Sequence, residues 1–198
     1  MTQTPEHIAT VRPAFHHINL KTLKLQEMID WYGLVLGMQA QHQFPGGAWL
    51  TNDHANHRIA LLTSPALKED PDKYIHTGIH HTAFEYDSMG DLLDTYIRLK
   101  AHGILPHASL DHGITSSFYY EDPDGNSVEL QVDNFGDWAV SGEWIRTSPL
   151  FAANPIGTPV DPAQMVAARE AGASYAEIHE RAYAGEFQPD DYDLHLPL

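Results

Sequence analysis

Hydrophobic and polar positions along this chain fall into two similar stretches followed by a third of different character. "FHHINL" (15–20) and "IHHTAF" (79–84) alternate apolar and polar residues at the period of a half-buried strand. Each leads into a segment with helical spacing. In the first, Leu25, Met28, Ile29, Tyr32 and Leu36 form one stripe. In the second, Leu92, Tyr96 and Leu99 do the same, with Ser88 and Asp91 placed to cap the start and Gly103 to stop it. Short strand-like pieces follow each helix, "GAWLT" (47–51) and "HRIALL" (57–62), then "SSFYY" (116–120) and "SVELQV" (127–132).

The two stretches align at one offset, 81 − 17 = 64 residues, which also carries Met28 onto Leu92 and Tyr32 onto Tyr96. This predicts an α+β fold of paired βαβββ modules at about 12–64 and 78–133, joined by a loop over 64–74. Each module is too small to hide its own sheet, so pairing them within one domain, 1–133, satisfies both. The remainder, 134–198, breaks the repeat. It offers a Pro/Gly-rich connection, a helix over 161–185 interrupted near Gly172, and an acidic end. Covering a pocket, forming an interface and lying on the surface all fit this extension.

Composition narrows the chemistry. With 11 Lys+Arg against 27 Asp+Glu the formal charge is −16, a field that repels nucleic acid and anionic membranes. There is no run of 18 apolar residues to span a bilayer, and the N-terminal residues lack the pattern of a secretory leader, so a cytoplasmic location is expected. Cysteine is absent, which excludes thiolate chemistry and leaves 14 histidines and the carboxylates as metal ligands.

Strand alternation then selects residues. His17, Asn19 and Lys21 share a face opposite His16, Ile18 and Leu20, and the helix is expected to cover the more apolar set. His81 likewise opposes His80, and Glu129 alternates with Val128 and Leu130 just after the turn Asp122-Pro123-Asp124-Gly125. A carboxylate within a core strand needs a partner. Two imidazoles and one carboxylate, His17, His81 and Glu129, make a facial triad suited to non-haem iron and O2. Hydrogen-bonded loop histidines and a glutamate on a wet sheet face are the plainer alternative. His57 stands at the position of Glu129 in the first module, either as a fourth ligand or as an acid/base group beside the metal.

"HGITSSFYYEDPDGNSVE" (112–129) resembles the signature of type I extradiol ring-cleavage dioxygenases within the vicinal oxygen chelate superfamily, whose paired βαβββ modules form a metal-lined cup. The resemblance implies Fe(II), with Mn(II) as the lesser alternative, held by His17, His81 and Glu129. It implies His57 as acid/base and His112 and Tyr119 as substrate-positioning residues. A catechol-like diol and O2 would be the substrates, and a homo-oligomer the expected assembly. Leu110 departs from the signature, which prefers a smaller or β-branched residue there. Two other functions share the fold. A glyoxalase-like lyase would take His57 as a fourth ligand, and an antibiotic-binding protein would use no catalytic metal.

Overall fold

A computed structural model describes residues 10–195; the first nine residues, on which the reading of the leader rested, and the last three of the acidic end lie outside the described residues. The chain divides after Leu67 into two compact units.

The first unit runs β1 (Ile18–Lys21), α1 (Leu25–Leu36), β2 (Gln39–Phe44), β3 (Gly47–Thr51) and β4 (Ile59–Leu62). Its sheet has the order β1-β4-β3-β2, with β1 parallel to β4 and the remaining pairs antiparallel. The helical stripe buries Met28, Tyr32 and Val35, and Gly37 ends the helix at φ 65°, where a side chain would be strained. Fully burying side chains of this size stabilises the unit by about 1.5–3 kcal/mol each.

In the second unit the order recurs: β5 (His81–Tyr86), α2 (Met89–Ala101), β6 (Ala108–Asp111), β7 (Thr115–Glu121) and β8 (Ser127–Asp133). The sheet order β5-β8-β7-β6 repeats that of the first unit, again with the first and last strands parallel. The fold is therefore α+β with two βαβββ repeats. Ser88 caps α2, accepting from the backbone N–H of Asp91 as the spacing predicts. Alternation sorts the sheet's two faces. Val128 and Leu130 are wholly buried with Phe118, whose ring meets Tyr96 of α2 at 6.0 Å. Glu129 and its register partner Tyr119 point the other way.

The extension belongs to the second unit. It forms α3 (Trp138–Thr147), α4 (Pro149–Ala153), a short strand β9 (Thr158–Pro159) paired to β6, α5 (Pro162–Glu170) and α6 (Tyr175–Tyr183). The predicted interruption at Gly172 is real: its φ is 93°, and Ser174 restarts the helix with a capping box to Glu177. Two further features fasten the extension to β6. Asp111, with no exposed surface, accepts a hydrogen bond from His179 Nδ1 of α6 at 2.7 Å. Gly157 passes so close to β6 that a Cβ there would collide with the Asp111 carbonyl. No helix among the described residues is long and apolar enough to cross a membrane.

Candidate metal and diol site

The turn before β8 aims Glu129. Asp122 accepts from the backbone N–H groups of Asp124 and Asn126 and from the Asn126 side chain, which closes the Asp-Pro-Asp-Gly turn and fixes the register of β7 against β8. Burial pushes the Asp122 carboxyl above the usual carboxylate range, although these hydrogen bonds oppose the shift.

Glu129 is 5 % exposed and is not alone. One carboxylate oxygen stands 3.0 Å from His81 Nε2, and the other accepts from the Tyr119 hydroxyl at 2.9 Å. Burial alone would raise its pKa, but the His81, Ser117 and Tyr119 contacts prevail and hold it below the ordinary value. Tyr119 is driven the opposite way, because burial and the adjacent carboxylate both disfavour phenolate. His112 Nε2 lies 2.8 Å from the same hydroxyl. Its Nδ1–H donates to the Ile156 carbonyl at 2.6 Å, so a ring with a single proton turns a lone pair toward Tyr119. The phenolic hydrogen thus has two acceptors, His112 and Glu129.

A count of hydrogens tests whether these residues suit a cation. His80 Nε2 is 3.0 Å from the Leu194 carbonyl, His80 Nδ1 is 2.7 Å from His81 Nδ1, and His81 Nε2 faces Glu129. Carbonyl and carboxylate oxygens only accept, so this chain needs three ring hydrogens, while two neutral imidazoles carry two. A third ring hydrogen, as in an imidazolium–carboxylate pair with Glu129, balances the chain, and so does a cation in place of the hydrogen on His81 Nε2. His81 Nδ1–H then donates to His80, and His80 Nε2–H donates to Leu194. This is the outer-layer arrangement that orients a metal-bound imidazole. The residues fit a divalent metal.

In the first unit His16, His17 and His57 cluster, each offering a ring nitrogen within 4.8 Å of the others. The His17 and His57 rings are 4.3 Å apart, and His16 Nδ1 meets His17 Nδ1 at 3.0 Å, repeating the doublet contact of His80 and His81. Burial, then the neighbouring His17 and His16, depress the His57 pKa. Arg58 donates to the His16 carbonyl and pairs with Asp53, tying the loop before β4 to the start of β1. The expectation that the helix would cover His16 is corrected here. Both histidines precede the first residue of β1 and both are exposed, so pleat alternation does not reach them. His80 is the residue that the sequence reading overlooked. Its signal was the repeated His-His doublet, read there as one useful and one packing histidine.

Comparison with known proteins agrees with this geometry. The family model "Glyoxalase/Bleomycin resistance protein/Dioxygenase superfamily" matches residues 14–130, and the chain belongs to that superfamily. Among curated proteins it is 40 % identical over 181 residues to biphenyl-2,3-diol 1,2-dioxygenase 2 of Rhodococcus globerulus, covering 91 % of this chain and 94 % of that one. Biphenyl-2,3-diol 1,2-dioxygenase 3 of the same organism is 37 % identical over 175 residues, covering 88 % and 92 %. A glyoxylase/bleomycin resistance protein/dioxygenase domain from Frankia sp. EAN1pec shares the fold, with a TM-score of 0.53 at 17 % identity over 62 % of this chain and 93 % of that one.

Proposed function

We propose that this chain is an extradiol dioxygenase that opens a catechol-like ring with O2 at a single Fe(II) held by His17, His81 and Glu129. The observation that carries the reading is the hydrogen-bonded row His81–Glu129–Tyr119–His112, whose His81–Glu129 end pairs an imidazole nitrogen with a carboxylate as a divalent cation site would. Two biphenyl-diol dioxygenases that match most of the chain support the reaction class. His17 enters from the repeat and from the resemblance to the extradiol family. Iron, when bound, supplies the sites for diol and O2 and the electronic route between them.

The remaining chemistry belongs to side chains. Tyr119 and His112 hold a diol oxygen in place and share one hydrogen with it, the Ile156 carbonyl keeping the imidazole oriented. His57, its pKa depressed, takes the second hydroxyl proton and returns it later. Cleavage falls beside the two hydroxyl-bearing carbons, and both atoms of O2 end in the ring-opened product. The lyase reading has one observation in its favour, that His57 lies within ligand distance of His17.

Protein prepared anaerobically with Fe(II) is expected to consume one O2 per catechol and to yield a coloured semialdehyde. Metal retention without O2 uptake on catechol, 4-methylcatechol or biphenyl-2,3-diol would refute the reading. Removing the metal by chelation is expected to lower the melting temperature by about 5–10 °C, as loss of a ligand at roughly 100 times its dissociation constant implies for a chain of this size. Differential scanning calorimetry with and without chelator measures this.

A further inference from the structure

After α6 the chain returns across the second unit and ends its described course on the face of the sheet that carries Glu129. Hydrogen bonds and ring contacts hold it there. His107 Nδ1–H donates to the Asp193 carbonyl at 2.9 Å, and the Asp193 N–H donates back to His107 at 3.4 Å. His80 donates to the Leu194 carbonyl. The His195 ring stacks on His107 at 4.0 Å with 8° between planes, and meets Tyr74 at 4.3 Å in a tilted contact. His195 adopts φ 55°, a conformation that costs a non-glycine residue energy and that these contacts sustain.

This anchoring delivers one apolar side chain. Leu194 packs against Ala108, Leu110 and Tyr119. Register places these groups in order. Ala108 opposes Tyr119, and Tyr119 opposes Glu129, so Ala108 lies two strand spacings, roughly 10 Å, from the carboxylate. A ring whose oxygens sit at Glu129 and Tyr119 and whose substituent points toward β6 would meet the apolar corner that Leu194 already fills. The departure at Leu110 acquires a use, since its side chain belongs to the apolar group against which Leu194 packs.

We propose that Leu194 is a wall of the diol site and a specificity-determining residue, limiting the bulk that a substrate ring can carry toward β6. The proposal rests on the ring-cleavage reading above. It assigns selectivity to the extension, outside the residues that carry the family signature.

The test compares Leu194→Ala and Leu194→Trp with the native enzyme, each loaded with Fe(II) and kept anaerobic. Dissociation constants for catechol and biphenyl-2,3-diol are measured by absorbance or tryptophan fluorescence titration. The ratio of the biphenyl-diol constant to the catechol constant is expected to fall about fivefold or more in Leu194→Ala and to rise by a similar factor in Leu194→Trp, the scale of a few methylenes in a pocket. A ratio within twofold of native in both variants, or a shift in the opposite sense, overturns the proposal, because a residue that only packs the tail would change both diols alike. A native enzyme that binds neither diol overturns the ring-cleavage reading, and this proposal with it.

Discussion

Glu129→Ala is expected to abolish iron retention and, with it, O2 consumption. Outer-layer partners of a metal-bound histidine typically cost 10–100-fold in affinity when removed, and deleting a charged ligand exceeds that range. The variant also removes an acceptor from His81 and one of the two acceptors of the Tyr119 hydroxyl, which keeps His112, at a cost of about 0.5–1.5 kcal/mol per hydrogen bond. Glu129→Gln separates the two effects. It keeps the shape and an acceptor oxygen but removes the charge, so stability should be largely restored while iron is still lost. Metal analysis after anaerobic dialysis, alongside urea denaturation, distinguishes them. Stoichiometric iron in Glu129→Ala would remove the carboxylate from the metal site.

Changing His57 to Ala is expected to give the opposite pattern, with iron content near native and turnover slowed by about 10²–10⁴-fold, the usual contribution of a positioned acid/base group. The first-unit cluster makes this experiment decisive. His57 lies close enough to His17 to serve as a ligand, and a fourth ligand is what the lyase alternative requires. Iron content and single-turnover rates under limiting O2 are the measurements. Complete iron loss would make His57 a ligand and favour that alternative; unchanged turnover would leave it without a chemical role.

Sequence pattern found the start of each module, both module helices, and β3, β4, β7 and β8, whose apolar and aromatic runs stand out between turn residues although they are buried along most of their length. The strands it left unplaced lack such a run. β2, "QAQHQF", is polar and exposed along almost its whole length, and β6, "ASLD", is four residues with one large apolar side chain. α3 escaped because only Ser141 is buried on it and Trp138 is 72 % exposed. Alternation set Glu129 apart from Val128 and Leu130, whereas Tyr119 entered through the family resemblance and only the strand register pairs it with Glu129. What sequence pattern could not supply were the partners that contribute only backbone. The Ile156 and Leu194 carbonyls orient His112 and His80, and a carbonyl leaves no trace in side-chain pattern. In the acidic end Asp190, Asp191 and Asp193 break up the apolar residues, so no periodic pattern singles out Leu194.

The close passage at Gly157 bears on how this enzyme can be re-engineered. Because the 154–159 turn lies against β6 and delivers the Ile156 oxygen to His112, exchanging everything after residue 133 for a homologue's segment would also exchange a support of that imidazole. Chimaeras joined at that boundary should inherit catalytic defects from the donor segment even when the grafted signature is intact, and a crossover placed beyond Pro159 should spare the Ile156 contact while still exchanging the Leu194 contact with His80.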